Sequence, residues 1–192
     1  LGRISEDKLM DTIHNLSLAT DRLEQYANQV REIQAMDAIP VKPTACPLRE
    51  FFEEQEDEYT VLAHQHQLQF SMDISGVPDF QVMLDGTLVH RIIDNVISNA
   101  LRFACHEIAL KAGWQEGILT IQVYDDGAGF SEESLRSATR PFYKENTEND
   151  HFGLGLSICN TLCQKQGGTL SLSNHNGACV EMQIQAEKID AD

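Results

Sequence analysis

The sequence predicts an α+β two-layer sandwich, a mixed sheet with helices on one face, preceded by a long coiled-coil helix. Three observations carry that expectation. Leu9, Ile13, Leu16, Thr20, Leu23, Ala27 and Val30 recur at spacings of four and three, the seam of a helix that lies along another helix. From residue 47 onward, segments with helical spacing of apolar residues alternate with segments of period two, the rhythms of helix and strand. Glycine, proline and asparagine cluster between those segments and punctuate them.

Residues 1–38 read as the coiled-coil arm, with Asp21, Arg22, Glu24, Gln25, Asn28 and Gln29 on its solvated face. Pro40 and Pro43 stop the helix, and residues 39–46 read as a linker. Residues 47–186 read as the folded domain, and 187–192 as a tail. Its first helix, 47–66, carries Leu48, Phe51, Phe52, Tyr59 and Leu62 as apolar positions. Residues 68–74 alternate as a half-buried strand, and Gly76, Pro78 and Asp79 mark the turn to a short strand at 80–84. Residues 85–104 form a long helix. Strands at 107–111 and 118–124 are expected to join through Gly113 and Gly117. Residues 131–152 are polar, with few apolar anchors. Residues 154–166 read as a helix closed by Gly167 and Gly168. A hairpin of 169–173 and 179–184 turns at Asn174 to Gly177.

The chain carries 14 Lys and Arg against 30 Asp and Glu, a net charge of −16 at pH 7. Such a surface repels nucleic-acid phosphates and anionic lipid, which argues against both as partners. The five cysteines are odd in number and lack metal spacing, so they are expected to be buried, reduced thiols. No apolar run reaches the roughly 20 residues of a membrane helix. The chain opens on Leu1, so it is expected to be a piece of something longer.

Three segments carry chemistry. In the long helix Arg91, Asn95, Asn99 and Arg102 fall on one stripe, and Val89, Ile92, Ile93, Val96, Ala100 and Phe103 on the other face. Two amides and two guanidiniums on one stripe suit a metal polyphosphate, oxygens for the cation and cations for phosphate. Asp125-Asp126-Gly127-Ala128-Gly129-Phe130 follows a strand. A carboxylate there can accept from an amino group, while bare glycines let a flat ring approach the backbone. Phe152-Gly153-Leu154-Gly155-Leu156 enters a helix, where N–H groups and the helix dipole favour an anion. Arg140-Pro141-Phe142-Tyr143-Lys144 lies in the polar segment before it.

In order and spacing these segments resemble the ATPase domain of sensor histidine kinases, over about residues 45–186. Asn95 to Ala100 resembles that family's N box. Asp125 to Gly129 resembles its first glycine box, Pro141 to Lys144 its F box, and Gly153 to Leu156 its second glycine box. The resemblance implies the Bergerat ATP-binding fold, with ATP and Mg²⁺ as cofactors and phosphoryl transfer to a histidine. It implies Asn99 as the Mg²⁺ ligand and Asn95 close to the metal and phosphates. Arg102 matches a basic residue on the phosphates, and Asp125 the adenine-reading carboxylate with Gly127 and Gly129 beside the ring. Phe103, Phe130, Leu154 and Leu156 fall in the same motifs. Residues 131–152 match the ATP lid, which Gly153 and Gly155 join to the phosphates. Arg140 and Lys144 match contacts to the terminal phosphate. His151 stands where the family often has a further glycine.

The arm resembles the second helix of the family's dimerisation hairpin. His14 has neither the following acid nor the proline of a phosphoacceptor motif, so the acceptor histidine is expected upstream. The implied partners are a response regulator and that hairpin histidine. A homodimer at the membrane is expected for the full-length protein, with this part cytoplasmic. ATP-hydrolysing relatives on the same fold place a Glu where Asn95 stands, and an amide cannot take the proton of an attacking water. A binding-only pseudokinase scaffold and a serine-directed kinase of the same superfamily are the alternative readings.

Overall fold

The computed structural model describes residues 39–140, Tyr143 and residues 154–189, with Met10, Thr12 and Thr20 as separate helical positions. Of the heptad seam only Thr20 is among them, so the coiled-coil expectation lies outside the described residues. So do His14, Pro141, Phe142, Lys144, His151 and Gly153.

The elements run β1 (Thr44–Pro47), α1 (Leu48–Gln65), β2 (Gln69–Gly76), β3 (Gln81–Leu84), α2 (Gly86–Phe103), β4 (Glu107–Gln115) and β5 (Ile118–Asp125). There follow α3 (Glu132–Ser137), α4 (Gly155–Lys165), β6 (Thr169–Asn174), β7 (Ala178–Gln185) and β8 (Glu187–Lys188). Five strands form a sheet in the order β2-β4-β5-β7-β6. The β2–β4 pair is parallel and the others are antiparallel, so the sheet is mixed. A parallel pair needs a crossover, and β3 with α2 supplies it.

Helices α1, α2 and α4 cover one face. Ile108, Leu110 and Ala112 of β4 and Leu119, Ile121 and Val123 of β5 are buried beneath them. From α2, Leu88, Val89, Ile92, Ile93, Val96 and Ile97 complete the core. Each such side chain contributes about 1.5–3 kcal/mol on full burial. The other sheet face is polar. Asp73, Lys111, Gln122, Glu181 and Ser171 stand in register across all five strands, and Gln122 Nε2 donates to Glu181 Oε2 at 2.7 Å.

Three features depart from the sequence expectation. A second sheet, β1-β3-β8, forms where a linker and a tail were expected to contribute no strand. Its outer strands have four and two residues, too few to display a period. Helix α3 lies inside the polar segment, where Ser131 Oγ caps it by accepting from Ser134 N at 3.1 Å. Gly113 lies within β4 and is not a turn. It faces Gly76 of β2, where an added Cβ would lie 3.1 Å from Gly113 Cα. The β4–β5 turn uses Glu116 (φ 50°) and Gly117 (φ 85°), two positive dihedrals that match strand twist.

Asp85 fixes the start of α2. Its Oδ1 accepts from Leu88 N at 3.1 Å and its Oδ2 from Lys42 N at 2.8 Å. Helix α4 packs across α2, and Cys159 Sγ donates to Ile92 O at 3.6 Å. Burial pushes the Cys159 thiol up, and the Cys163 thiol up to about 12. All five cysteines are free; four are buried as expected, but Cys105 is exposed because it sits in the α2–β4 loop. Among the described residues no helix is long and apolar enough to cross a membrane.

Candidate functional site

The loop after β5 and the start of α4 both come against α2, the first at Phe103 and the second beside Asn95 and Asn99. Arg91, Asn95, Asn99 and Arg102 are partly exposed on α2, while its apolar positions face the sheet. Asn95 Nδ2 donates to Arg91 O at 2.8 Å, which orients the carboxamide. A Cβ added at Gly155 would lie 3.5 Å from Asn99 Nδ2 and 3.9 Å from both Asn95 Oδ1 and Asn99 Oδ1. The first residue of α4 therefore stands beside both amides, with space for little more than a methyl between. Leu154 is the N-cap of α4, is 2% exposed, and offers no side-chain acceptor to the first-turn N–H groups. Those groups are donors that an anion can satisfy. Leu156 is half-buried and packs on the core.

Asp125 is the last residue of β5. Its Oδ1 accepts from Gly127 N at 2.9 Å and from Ala178 N at 3.5 Å. Burial raises its pKa above the ordinary carboxylate value; the two N–H groups pull the other way, and the Asp126 charge adds to the rise. The neighbouring carboxylate behaves oppositely. Asp126 Oδ1 accepts from His106 N at 2.9 Å, Cys105 N at 2.8 Å and Glu107 N at 3.1 Å, and Oδ2 meets His106 Nδ1 at 3.0 Å. The His106 N–H first, then the other donors, hold it well below the usual carboxylate range. Asp126 thereby ties the α2–β4 loop to the end of β5.

Close approaches fix the rest of this wall. A Cβ at Gly127 would overlap the carbonyl oxygen of Phe103, so the loop lies directly on the end of α2. Gly129 has φ 77°, and a Cβ there would lie 2.9 Å from Asn174 Oδ1. Asn174 Oδ1 accepts from Phe130 N at 2.8 Å, and its Nδ2 donates to Phe130 O at 2.8 Å. A Cβ at Gly177 would overlap the carbonyl oxygen of Asp125.

Phe103 corrects the sequence reading. Expected on the apolar face of α2, it is 54% exposed, with the Arg102 guanidinium carbon 5.0 Å from its ring centre. It is the last helical residue, and Ala104 turns extended (φ −60°, ψ 146°), so the chain leaves the core there. Leu101 packs against the core in that last turn. Partial burial lowers the pKa of Arg102. Arg140 stands exposed beyond α3, and Tyr143 Oη lies 3.1 Å from Ser134 Oγ. Sequence reasoning missed Asp126 and Asn174 as organisers of the site. Asp126 was visible only as part of an Asp-Gly turn, and Asn174 only as a turn residue.

Comparison with known proteins fits this arrangement. Residues 84–188 match the family described as histidine kinase-, DNA gyrase B-, and HSP90-like ATPase. The match spans more than half of the chain, and the chain belongs to that family. Among curated relatives, the C4-dicarboxylate transport sensor protein DctB of Pseudomonas aeruginosa is 30% identical over 188 residues, 93% of this chain and 29% of that protein. The aerobic respiration control sensor protein ArcB of Escherichia coli is 25% identical over 90% of this chain and 23% of that protein. The chain thus spans less than a third of either relative. Full-length ShkA in complex with AMPPNP superposes with a TM-score of 0.78 over 99% of this chain and 41% of that one, at 19% identity. The nucleotide-free catalytic domain of the histidine kinase ThkA gives 0.66 over 75% of this chain and 95% of that one, at 22% identity. The fold is therefore that of histidine kinase catalytic domains.

Proposed function

We propose that this chain is the ATP-binding catalytic part of a two-component sensor histidine kinase. Its reaction is transfer of the ATP γ-phosphate to a histidine on a dimerisation hairpin, for relay to a response regulator. One observation carries the reading: Gly155 stands beside Asn95 and Asn99 while Gly127 lies on the end of the same helix. Three motifs that are far apart in sequence thus meet along one helix, which supports a shared nucleotide site. The relatives' names as sensor proteins and kinases support the same reading.

Asp125 would read the base. Its Oδ1 is engaged by Gly127 and Ala178, and Oδ2 would accept from the exocyclic amino group of adenine. Burial strengthens that bond, because the local dielectric is low. The exposed Phe103 ring offers a flat apolar surface beside the base. Arg102 and the uncapped start of α4 would face phosphate oxygens. Lys144, outside the described residues, and Arg140 are further candidates for the terminal phosphate.

The Asn99 carboxamide, beside the start of α4, would offer Mg²⁺ a hard oxygen donor, and nucleotide phosphates would supply further ligands. When bound, the ion would neutralise charge on the transferring phosphoryl group. Asn95 and Asn99 are amides, so this stripe can orient phosphates but cannot remove a proton from water. That favours transfer to a supplied imidazole over hydrolysis. A homodimer and a membrane location would be properties of a longer protein that contains this chain.

Calorimetric titration with ADP in Mg²⁺ tests the site. Asp125→Ala should lose nucleotide binding while keeping the wild-type circular dichroism spectrum and melting temperature within a few degrees. Unchanged ADP affinity would remove the adenine assignment. Label from γ-³²P-ATP should then appear on a separately supplied hairpin carrying its histidine and not on His14.

A further inference from the structure

The loop after β5 is held from the side by the β6–β7 hairpin, at both of its ends. At the first end, Gly177 lies against the Asp125 carbonyl and Ala178 N reaches Asp125 Oδ1 at 3.5 Å. At the second end the hold is one side chain. Asn174, the last residue of β6, pairs both polar groups of its amide with the backbone of Phe130, each at 2.8 Å. It acts as a neighbouring strand would, in a place where no strand runs among the described residues. Gly129, between the two ends, takes φ 77° and lies so near Asn174 that a Cβ would meet its amide at 2.9 Å. Gly127 and Gly129, expected beside the ring, and Phe130, which follows them, therefore hang between two attachments.

Resting on the nucleotide reading above, we propose that Asn174 is a positioning residue for base recognition. It touches no nucleotide. Its amide sets the height of residues 127–130 above the end of α2, and so the gap into which a flat ring fits. Removing it frees one end of the loop, and the ligand must then order that loop on binding. The two hydrogen bonds order the loop before the ligand arrives, and only part of their strength is drawn on at binding, so the expected loss is roughly tenfold in affinity. The loss should fall on ligands that carry the base and spare those that carry only phosphates.

The test uses the whole chain. Wild-type, Asn174→Leu and Asn174→Asp proteins are titrated with ADP and with tripolyphosphate, both in Mg²⁺. Asn174→Leu should bind ADP roughly tenfold more weakly and tripolyphosphate as wild type does. Equal loss of both ligands, or ADP affinity within twofold of wild type, overturns the proposal. Asn174→Asp keeps the acceptor for Phe130 N but sets an oxygen against Phe130 O. Protonation near the ordinary carboxylate value of about 3.9 restores the donor. Its ADP affinity relative to wild type should therefore recover as pH falls towards 4, and a ratio flat with pH counts against the clip. Should Asn174→Leu fail to fold, hydrogen exchange on the wild-type protein decides: the Phe130 amide must be protected, and free exchange there overturns the proposal. Failure of the wild-type chain to bind ADP would instead remove the nucleotide reading itself.

Discussion

The two walls of the proposed nucleotide site differ in how closely they are packed. On the Asp125 wall, backbone meets backbone: Gly127 lies on the Phe103 carbonyl and Gly177 on the Asp125 carbonyl, with no space for a Cβ at either. On the Asn95–Asn99 wall a Cβ added at Gly155 would come no nearer than 3.5 Å to its neighbour, a carboxamide that can turn. The first wall is shaped before any ligand arrives, while the second leaves side chains to adjust. A flat base requires a slot of fixed width. A polyphosphate with its cation requires donors that converge as it docks.

The largest expected effect comes from adding one methyl to the tight wall. Gly127→Ala must move the loop off α2, because the obstacle is a backbone oxygen. A clash of that kind costs about 1–3 kcal/mol or more. Urea denaturation should show a loss at the upper end of that range, and ADP binding should vanish. A stability within about 0.5 kcal/mol of wild type would mean that the two backbones are not in contact.

Next in size is the contrast between the adjacent carboxylates. Asp126 accepts three backbone N–H bonds and has a lowered pKa, so its contribution is present above the unfolded value of about 3.9 and is lost as pH falls through the folded value. Asp126→Ala should cost about 1–2 kcal/mol at neutral pH, and that difference should shrink on acidification. Asp125 has a raised pKa, so its ionised form opposes folding once pH exceeds the unfolded value. Asp125→Asn should leave stability unchanged or slightly higher while ADP affinity falls. Melting curves from pH 7 to pH 3 check both signs. A pH-independent Asp126→Ala deficit would show that its charge is not what holds the loop.

On the looser wall, Asn99→Ala should weaken ADP binding in Mg²⁺ by about tenfold, on the scale of one charge-assisted contact of 1–2 kcal/mol. In EDTA the two proteins should bind alike. Equal loss with and without the metal would move Asn99 from metal ligand to phosphate contact.

The same contrast explains what could be read from sequence. The α2 stripe was legible because one helix fixes the relative positions of residues 91 to 102, and its buried face follows the 3.6-residue period. Phe103 broke the pattern because periodicity does not say where the chain leaves the helix. The glycines of the loop after β5 were legible as bare backbone, but not what they approach. Phe130 and Asn174 are 44 residues apart, and Asp126 and His106 are 20 apart. Only the folded sheet brings them together. The β1-β3-β8 sheet stayed hidden for a related reason, since two- and four-residue strands have no period of their own.

The smallest effect should come from Gly155→Ala, the counterpart of Gly127→Ala on the loose wall. An added Cβ meets Asn99 Nδ2 at 3.5 Å, an ordinary contact, and the residue is helical, where alanine is preferred over glycine by roughly 0.5–1 kcal/mol. Stability should therefore hold or rise slightly. The methyl nevertheless occupies the space between the α4 N-terminus and both amides, where the phosphates are proposed to lie. ADP affinity should fall severalfold while adenosine, which lacks phosphates, binds as to wild type. If Gly155→Ala destabilises as much as Gly127→Ala, the two walls are equally rigid and the distinction between them fails. If adenosine and ADP weaken together, the start of α4 contacts the base and not the phosphates.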